Sequence, residues 1–322
     1  DLAIDGSVVR LALAVQIVEP GDVEVLRARV EAALQAMDEV SEVEIQIQPM
    51  MPMASAPAQP APEPTTWADK IPGIKRVVAV ASGKGGVGKS TVSANLAHAL
   101  AKSGFKVGLL DGDIYGPSQQ LMMGAEGEPM GDEDGKIFPA EAPGGVKVLS
   151  FGFFVDPDQP VIWRGPMLQK ALEQFFGDVH WGELDYLIVD LPPGTGDVSL
   201  TLCQNVPLAG TVIVTTPQDV ALIDARKGLH MFAKLETRVL GIVENMSGFE
   251  CPECGHLEHI FGSGGGASTA EELGLPLLGS VPLDPAIVIG GDTGAPVVLE
   301  RPDSPAAKAF AQIAERVAKA TE

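Results

Sequence analysis

The stretch Gly83–Lys84–Gly85–Gly86–Val87–Gly88–Lys89–Ser90 fits G-x-x-x-x-G-K-[ST]. It lies between an apolar β-branched run, Val77–Ala81, and a pattern of helical spacing from about Lys89 to Ser103. Strand, glycine-rich turn and helix in that order are the context a phosphate-binding loop requires, and they leave few folds open. Glycines let the backbone wrap round phosphate oxygens with its N–H groups facing inward. Lys89 brings charge to the β- and γ-phosphates, Ser90 offers a hydroxyl to Mg²⁺, and the helix N-terminus adds an anion-attracting field. The candidate nucleotide-binding residues here are Gly83, Lys84, Gly85, Gly86, Val87, Gly88, Lys89, Ser90 and Thr91.

The punctuation of this stretch recurs downstream. Short apolar runs at 107–110, 187–191, 211–216 and 239–245 alternate with helical patterns. Strands apolar on both faces belong to parallel sheets covered by helices. The expected fold is α/β, a doubly wound, mostly parallel sheet, whose ligands sit beyond the carboxyl ends of its strands. Upstream, residues 1–50 read as strand, helix and strand, a small α+β unit. Residues 51–70, Pro/Ala-rich as far as 66, read as an extended linker. Residues 71–322 hold the phosphate-loop domain.

Charge narrows the partners. Twenty-two Lys and Arg face 43 Asp and Glu, a net charge of −21, which argues against a nucleic-acid-binding face or adhesion to anionic membranes. No apolar run approaches the ~18 residues of a membrane span. Three cysteines make no disulfide framework, and no basic, apolar leader opens the sequence, so the expected location is the reducing cytoplasm.

Acidic residues fall at strand ends. VGLLDGD places Asp111 and Asp113 after one strand, and LIVDLPPGTGD places Asp190 after another. Carboxylates at such points suit the water shell of Mg²⁺, a hard cation that keeps several waters. Asp111 and Asp197 read equally well as polar caps or turn formers. Asn245 ends the run VLGIVEN, and beyond it lies Cys251–Pro252–Glu253–Cys254. One C-x-x-C supplies two thiolates, whereas a tetrahedral zinc or an all-cysteine iron–sulfur cluster needs four ligands. Two copies of the chain sharing one [4Fe–4S] cluster, a zinc completed by His256 and His259, and a thiol–disulfide couple all remain open. Cys203, in LTLCQNV, reads as a buried small hydrophobe.

The loop K-G-G-V-G-K-S-T resembles that of the deviant phosphate-loop ATPases, the class of nitrogenase iron protein and of septum-site and partition ATPases. That resemblance implies four catalytic residues. Lys84 reaches the partner subunit's nucleotide, Lys89 serves its own, Asp113 orients the attacking water, and Asp190 holds the Mg²⁺ water shell. It also implies that Asn245 reads the adenine edge. More specifically, VVAVASGKGGVGKSTVSANLA, LLDGDIYGPS, WRGPM, TTPQDVALIDARKG, VENMSGFECPECG and IFGSGGG resemble the Mrp/NBP35 family of iron–sulfur cluster carriers, also called ApbC. Membership implies a homodimer that hydrolyses ATP slowly with Mg²⁺, bridges a [4Fe–4S] cluster through Cys251 and Cys254, and passes it to apo iron–sulfur proteins. Residues 1–50 resemble the MIP18-type small domain fused to bacterial members. The competing expectations are a partition- or septum-type positioning ATPase and a phosphate-loop ATPase whose C-x-x-C binds structural zinc.

Overall fold

The computed structural model describes residues 2–5, 8–16, 22–35, 42–50, 67–133, 135–155 and 165–322. Residues 51–66, Trp163 and Arg164 lie outside this set. The chain splits into two compact units, Asp1–Pro64 and Thr65–Glu322. In the first, strand β1 (Leu2–Asp5) pairs antiparallel with β2 (Val8–Gln16). Helix α1 (Asp22–Gln35) then returns the chain to β3 (Glu42–Met50), which runs parallel to β2 from Val8↔Glu42 to Gln16↔Met50. Pro49 is tolerated in β3 because that strand forms one edge of the three-stranded sheet. The strand–helix–strand reading of this unit thus gains an extra leading strand. Leu2–Asp5 is too short to show a period of its own.

The second unit opens with a 3₁₀ turn, Trp67–Lys70, in the stretch expected as the end of the linker, and its Trp67 is buried in that unit's core. Strand β4 (Val77–Ser82), α2 (Lys89–Lys102), β5 (Val107–Asp111) and the short α3 (Gln119–Met122) follow. A two-residue hairpin follows, β6 (Met130–Gly131) with β7 (Ile137–Phe138), and then β8 (Ala140–Ala142) and β9 (Val146–Ser150). Next come α4 (Gly165–Gly177), β10 (Tyr186–Asp190), α5 (Asp197–Asn205), β11 (Leu208–Thr215), α6 (Asp219–Lys234) and β12 (Val239–Asn245). A second small hairpin, β13 (Phe249–Glu250) with β14 (Leu257–Glu258), precedes α7 (Gly265–Glu272) and β15 (Leu277–Val281). Helices α8 (Pro285–Thr293), α9 (Val297–Glu300) and α10 (Pro305–Ala320) close the chain.

The main sheet has the order β15-β12-β11-β4-β10-β5-β9-β8. Every ladder in it is parallel except β8–β9. Alternation along β4 explains why both faces are apolar. Val78 and Val80 join one core with Leu96 and Leu100 of α2 and Phe310, Ile313, Ala314 and Val317 of α10. Val77, Ala79 and Ala81 join the other core with Phe176 of α4, Leu202 of α5 and Phe232 of α6. The chain winds outward from β4 to β9, returns to place β10 beside β4, and then builds β11, β12 and β15 on the other side. The crevice where winding reverses lies at the carboxyl ends of β4 and β10, the place where such sheets bind ligands. Among the described residues, no helix is long and apolar enough to cross a membrane.

Candidate functional site

Residues 83–88 connect the carboxyl end of β4 to α2. At Gly88, φ is +80°, and a Cβ there would lie 2.2 Å from Nδ2 of Asn245. Both the left-handed backbone and the crowding demand glycine. Gly83 is required for a different reason: a Cβ would meet the carbonyl of Asp224, on α6, at 2.1 Å. Gly85 faces open space: a Cβ there would have no neighbour within 4 Å. One side of the loop is therefore packed against the protein and the other is free to receive a ligand.

Lys89, at the first turn of α2, is buried, and its Nζ donates to Oδ1 of Asp190 at 2.7 Å and to Oγ of Ser90 at 3.2 Å. Oδ2 of Asp113 stands 3.9 Å from the same ammonium. Ser93, one turn further along α2, donates to Oδ1 of Asp190 at 2.8 Å. Asp111 is fully buried beneath this group. Its carboxylate accepts from the backbone N–H groups of Asp113, Ser118 and Gln119 and from the Ser150 hydroxyl. Burial, reinforced by the charge of Asp190, pushes the Asp111 carboxyl up to about 7. Burial also raises the Asp113 carboxyl, while the Lys89 ammonium opposes the rise. Oxygens from two strand ends and one helix thus converge on a cation.

The Lys84 side chain stands outside this cluster and makes no ion pair among the described residues. Asn245, at the carboxyl end of β12, donates through Nδ2 to the carbonyl of Val87 at 2.9 Å. Beside it, a cavity of about 300 Å³ is lined by Gly88, Thr91, Asn245, Met246, Pro282 and Val288. The neighbouring Glu244 is buried and accepts from the N–H of Gly266 at 2.6 Å, which ties β12 to the start of α7.

Cys251 and Cys254 occupy the β13–β14 hairpin, the first half-buried and the second exposed. The hairpin closes through the N–H of Cys251 donating to the carbonyl of His256 and that of Gly255 to the carbonyl of Cys251. Hydrogen bonds from the backbone of Glu253, from that of Cys254 and from the Cys254 side chain hold the Cys251 thiol below its ordinary range. His256 pairs with Glu258 at 3.3 Å, and Nδ1 of His259 lies 3.1 Å from the carbonyl of Ser247. No three His, Cys, Asp or Glu residues converge on a metal-sized site among the described residues. Cys203 is buried in α5, where desolvation pushes its thiol up to about 12.

A family model described as NUBPL iron-transfer P-loop NTPase matches residues 73–318. The chain belongs to that family. It is 47% identical over 313 residues to an iron–sulfur cluster carrier protein of Aquifex aeolicus, covering 93% of this chain and 85% of the relative. It is 53% identical over 249 residues to the protein of that name from Synechocystis, covering 76% and 70%. Among solved structures, a nucleotide-binding protein from Archaeoglobus fulgidus in complex with ADP superposes with a TM-score of 0.66 at 37% identity, over 77% of this chain and 97% of that one. The cell-division ATPase MinD of Pyrococcus furiosus shares the fold, with a TM-score of 0.55 at 24% identity over 76% and 99%.

As a member of this P-loop family, the chain gathers Lys89, Ser90, Asp113 and Asp190 into one cluster and sets Asn245 against the loop. Lys84 and the cysteine pair lie apart from the cluster. Residue-by-residue reading did not single out Ser93 or Gln119, both of which contact Asp190. Ser93 lies one helical turn beyond Lys89, a spacing that would have shown it on the same face. Gln119 carries no comparable signal in the sequence.

Proposed function

We propose that the chain is an ATPase that holds a [4Fe–4S] cluster between two copies of itself and passes it to apo iron–sulfur proteins. The observation that carries this reading is the cysteine hairpin. It presents two thiols on one short hairpin, with hydrogen bonds holding that of Cys251 below its ordinary range, and no group of three His, Cys, Asp or Glu forms a metal site among the described residues. Two such hairpins across a two-fold axis supply the four sulfurs that a cluster needs. The relatives named iron–sulfur cluster carriers support the same reading.

The nucleotide site fits MgATP. Its loop has an open side at Gly85, and Ser90, Asp113 and Asp190 already surround a cationic group. So few protein oxygens suit Mg²⁺, which takes one or two carboxylates, phosphates and water rather than a closed protein cage. The metal when bound neutralises phosphate charge. Backbone N–H groups of residues 83–90 bind the phosphates, and Lys89 moves its ammonium from Asp190 to the β- and γ-phosphates. Released from that ammonium, Oδ1 of Asp190 would be free to hold the water shell of the metal. Asp113 orients the attacking water, whose oxygen bonds to the γ-phosphorus as the bridge to the β-phosphate breaks. Lys84 from the partner copy offsets the charge on the departing ADP. Asn245 reads the adenine edge in the cavity beside it. Within this reading, residues 1–50 form a MIP18-like unit and the ATPase is the second compact unit, from Thr65 rather than from 71, working in the cytoplasm without nucleic acid or membrane.

Anaerobic reconstitution with iron and sulfide tests the proposal. The expected result is about four irons per two chains, lost in Cys251→Ala and Cys254→Ala but kept in Cys203→Ala. Four irons per single chain, or one firmly held zinc per chain with no visible chromophore, would overturn it.

A further inference from the structure

The side chain of Gln119 is fully buried between the phosphate-loop helix and the acidic strand ends. Its Nε2 donates to the carbonyl of Ser90 at 3.0 Å and to Oδ2 of Asp190 at 2.9 Å. Its own N–H donates to Oδ2 of Asp111 at 3.0 Å. Two acceptors face the amide nitrogen, so the reversed amide would set oxygen against oxygen, and the orientation is fixed. The other amide atom, Oε1, is buried and has no hydrogen-bond partner among the described residues. A buried carbonyl left unpaired is costly unless something donates to it.

Asp190 has its two oxygens committed differently. Oδ1 accepts from Lys89 and Ser93, while Oδ2 accepts from Gln119. When Lys89 turns to phosphate, Oδ1 loses its ammonium. The amide of Gln119 then keeps the carboxylate from rotating and ties it to the backbone of Ser90, the residue whose hydroxyl would hold the metal.

We propose that Gln119 is a positioning residue for the metal half of the nucleotide site, clamping Asp190 to Ser90 and directing Oε1 toward metal-bound water. This inference rests on the reading of the site as one for MgATP. It adds a link between that site and the base cavity, because Gln119 opens α3, and Leu121 and Met122 of α3 line the cavity.

The test is equilibrium binding of a non-hydrolysable ATP analogue to the full chain, with Mg²⁺ and with EDTA, for the parent, Gln119→Leu and Gln119→Glu. Thermal melting and ATP turnover are measured alongside. Gln119→Leu is expected to bind the analogue in EDTA within about twofold of the parent. It should lose roughly tenfold of the Mg²⁺-dependent gain in affinity, the scale of one hydrogen bond to a charged group. Gln119→Glu, which sets an acceptor against Asp190, is expected to lose at least as much. An unchanged Mg²⁺-dependent gain in both variants overturns the proposal, as does an equal loss with and without the metal, which marks a merely structural side chain. If Gln119→Leu does not fold, the Gln119→Glu result decides. A parent that binds no nucleotide at all overturns the MgATP reading itself, an outcome distinct from either of these.

Discussion

Lys89 and Asp190 form a pair buried almost completely, and each needs the other while no phosphate is bound. Lys89→Ala leaves a buried carboxylate close to Asp111 with no counter-charge, a loss on the scale of about 3 kcal/mol. The variant is expected to melt well below the parent and to bind ATP poorly. Lys84→Ala removes no ion pair among the described residues. It is expected to melt and bind ATP like the parent but, on the proposal that its target is the partner's nucleotide, to turn over at least tenfold more slowly. Calorimetry and steady-state turnover check both, and parental turnover in Lys84→Ala would sink the trans role. Asp111 adds a pH signature. Its carboxyl is raised from 3.8 to about 7 in the folded protein, so the stability it contributes is complete below about pH 3.8 and is lost as pH rises through about 7. The stability difference between parent and Asp111→Asn is therefore expected to move against the parent between pH 5 and pH 8, as read by urea unfolding. A flat difference would mean that the N–H and hydroxyl donors around the carboxylate keep it ionised throughout.

The phosphate loop works as an element because one of its sides is packed. Gly83→Ala would drive a methyl into the backbone of α6 at Asp224 and Ala225, whereas Gly85→Ala meets nothing within 4 Å. The first substitution is expected to cost about 1–3 kcal/mol through overpacking, the second under about 0.5 kcal/mol. Gly85→Ala should still weaken nucleotide binding, because its methyl occupies the ligand's side of the loop. Urea unfolding and ATP titration separate the two effects. This loop was legible in the sequence, as were the fully buried strands around it. Both depend on local spacing, and the run predicted at 239–245 coincides with β12. Other elements were not legible for physical reasons. Strand β9 carries Lys147 and ends at Ser150, whose hydroxyl binds Asp111, so no clean apolar run announces it. The hairpin strands β13 and β14 are two residues each, too short for a period. Asp111 could be read only as an acid at a strand end, because its donors come from residues up to 39 positions away. Gln119 was invisible for the same reason: its partners Ser90 and Asp190 lie 29 and 71 positions off.

At the scale of the whole ATPase unit, the two proposed sites share parts. Strand β12 ends in Asn245, which grips the phosphate loop at Val87, and the chain then runs through Met246, held at φ +57°, to Cys251 six residues on. A second connection lies beside the first. Ser247 bonds the carbonyl of Val281, and the N–H of Leu283 donates to the carbonyl of Gly248 at 2.7 Å. Pro282, Leu283 and Asp284 therefore wall both the base cavity and a cavity of about 550 Å³ beside Cys251. In the proposed reading, a base in the first cavity contacts residues that also line the second, and Asn245 lies six residues before Cys251 on the same chain segment. Coupling through such contacts amounts to about 1–3 kcal/mol, or 5- to 150-fold in an equilibrium. The alkylation rate of Cys251 in the cluster-free protein is thus expected to change at least fivefold between nucleotide-free and MgATP-saturated states. In Asn245→Ala, assayed at saturating nucleotide, that change should shrink to under twofold, because the loop no longer holds the end of β12. A parent whose thiol reacts at one rate in both states would make the sites neighbours without communication. A change preserved in Asn245→Ala would instead assign the coupling to the Pro282–Asp284 wall alone.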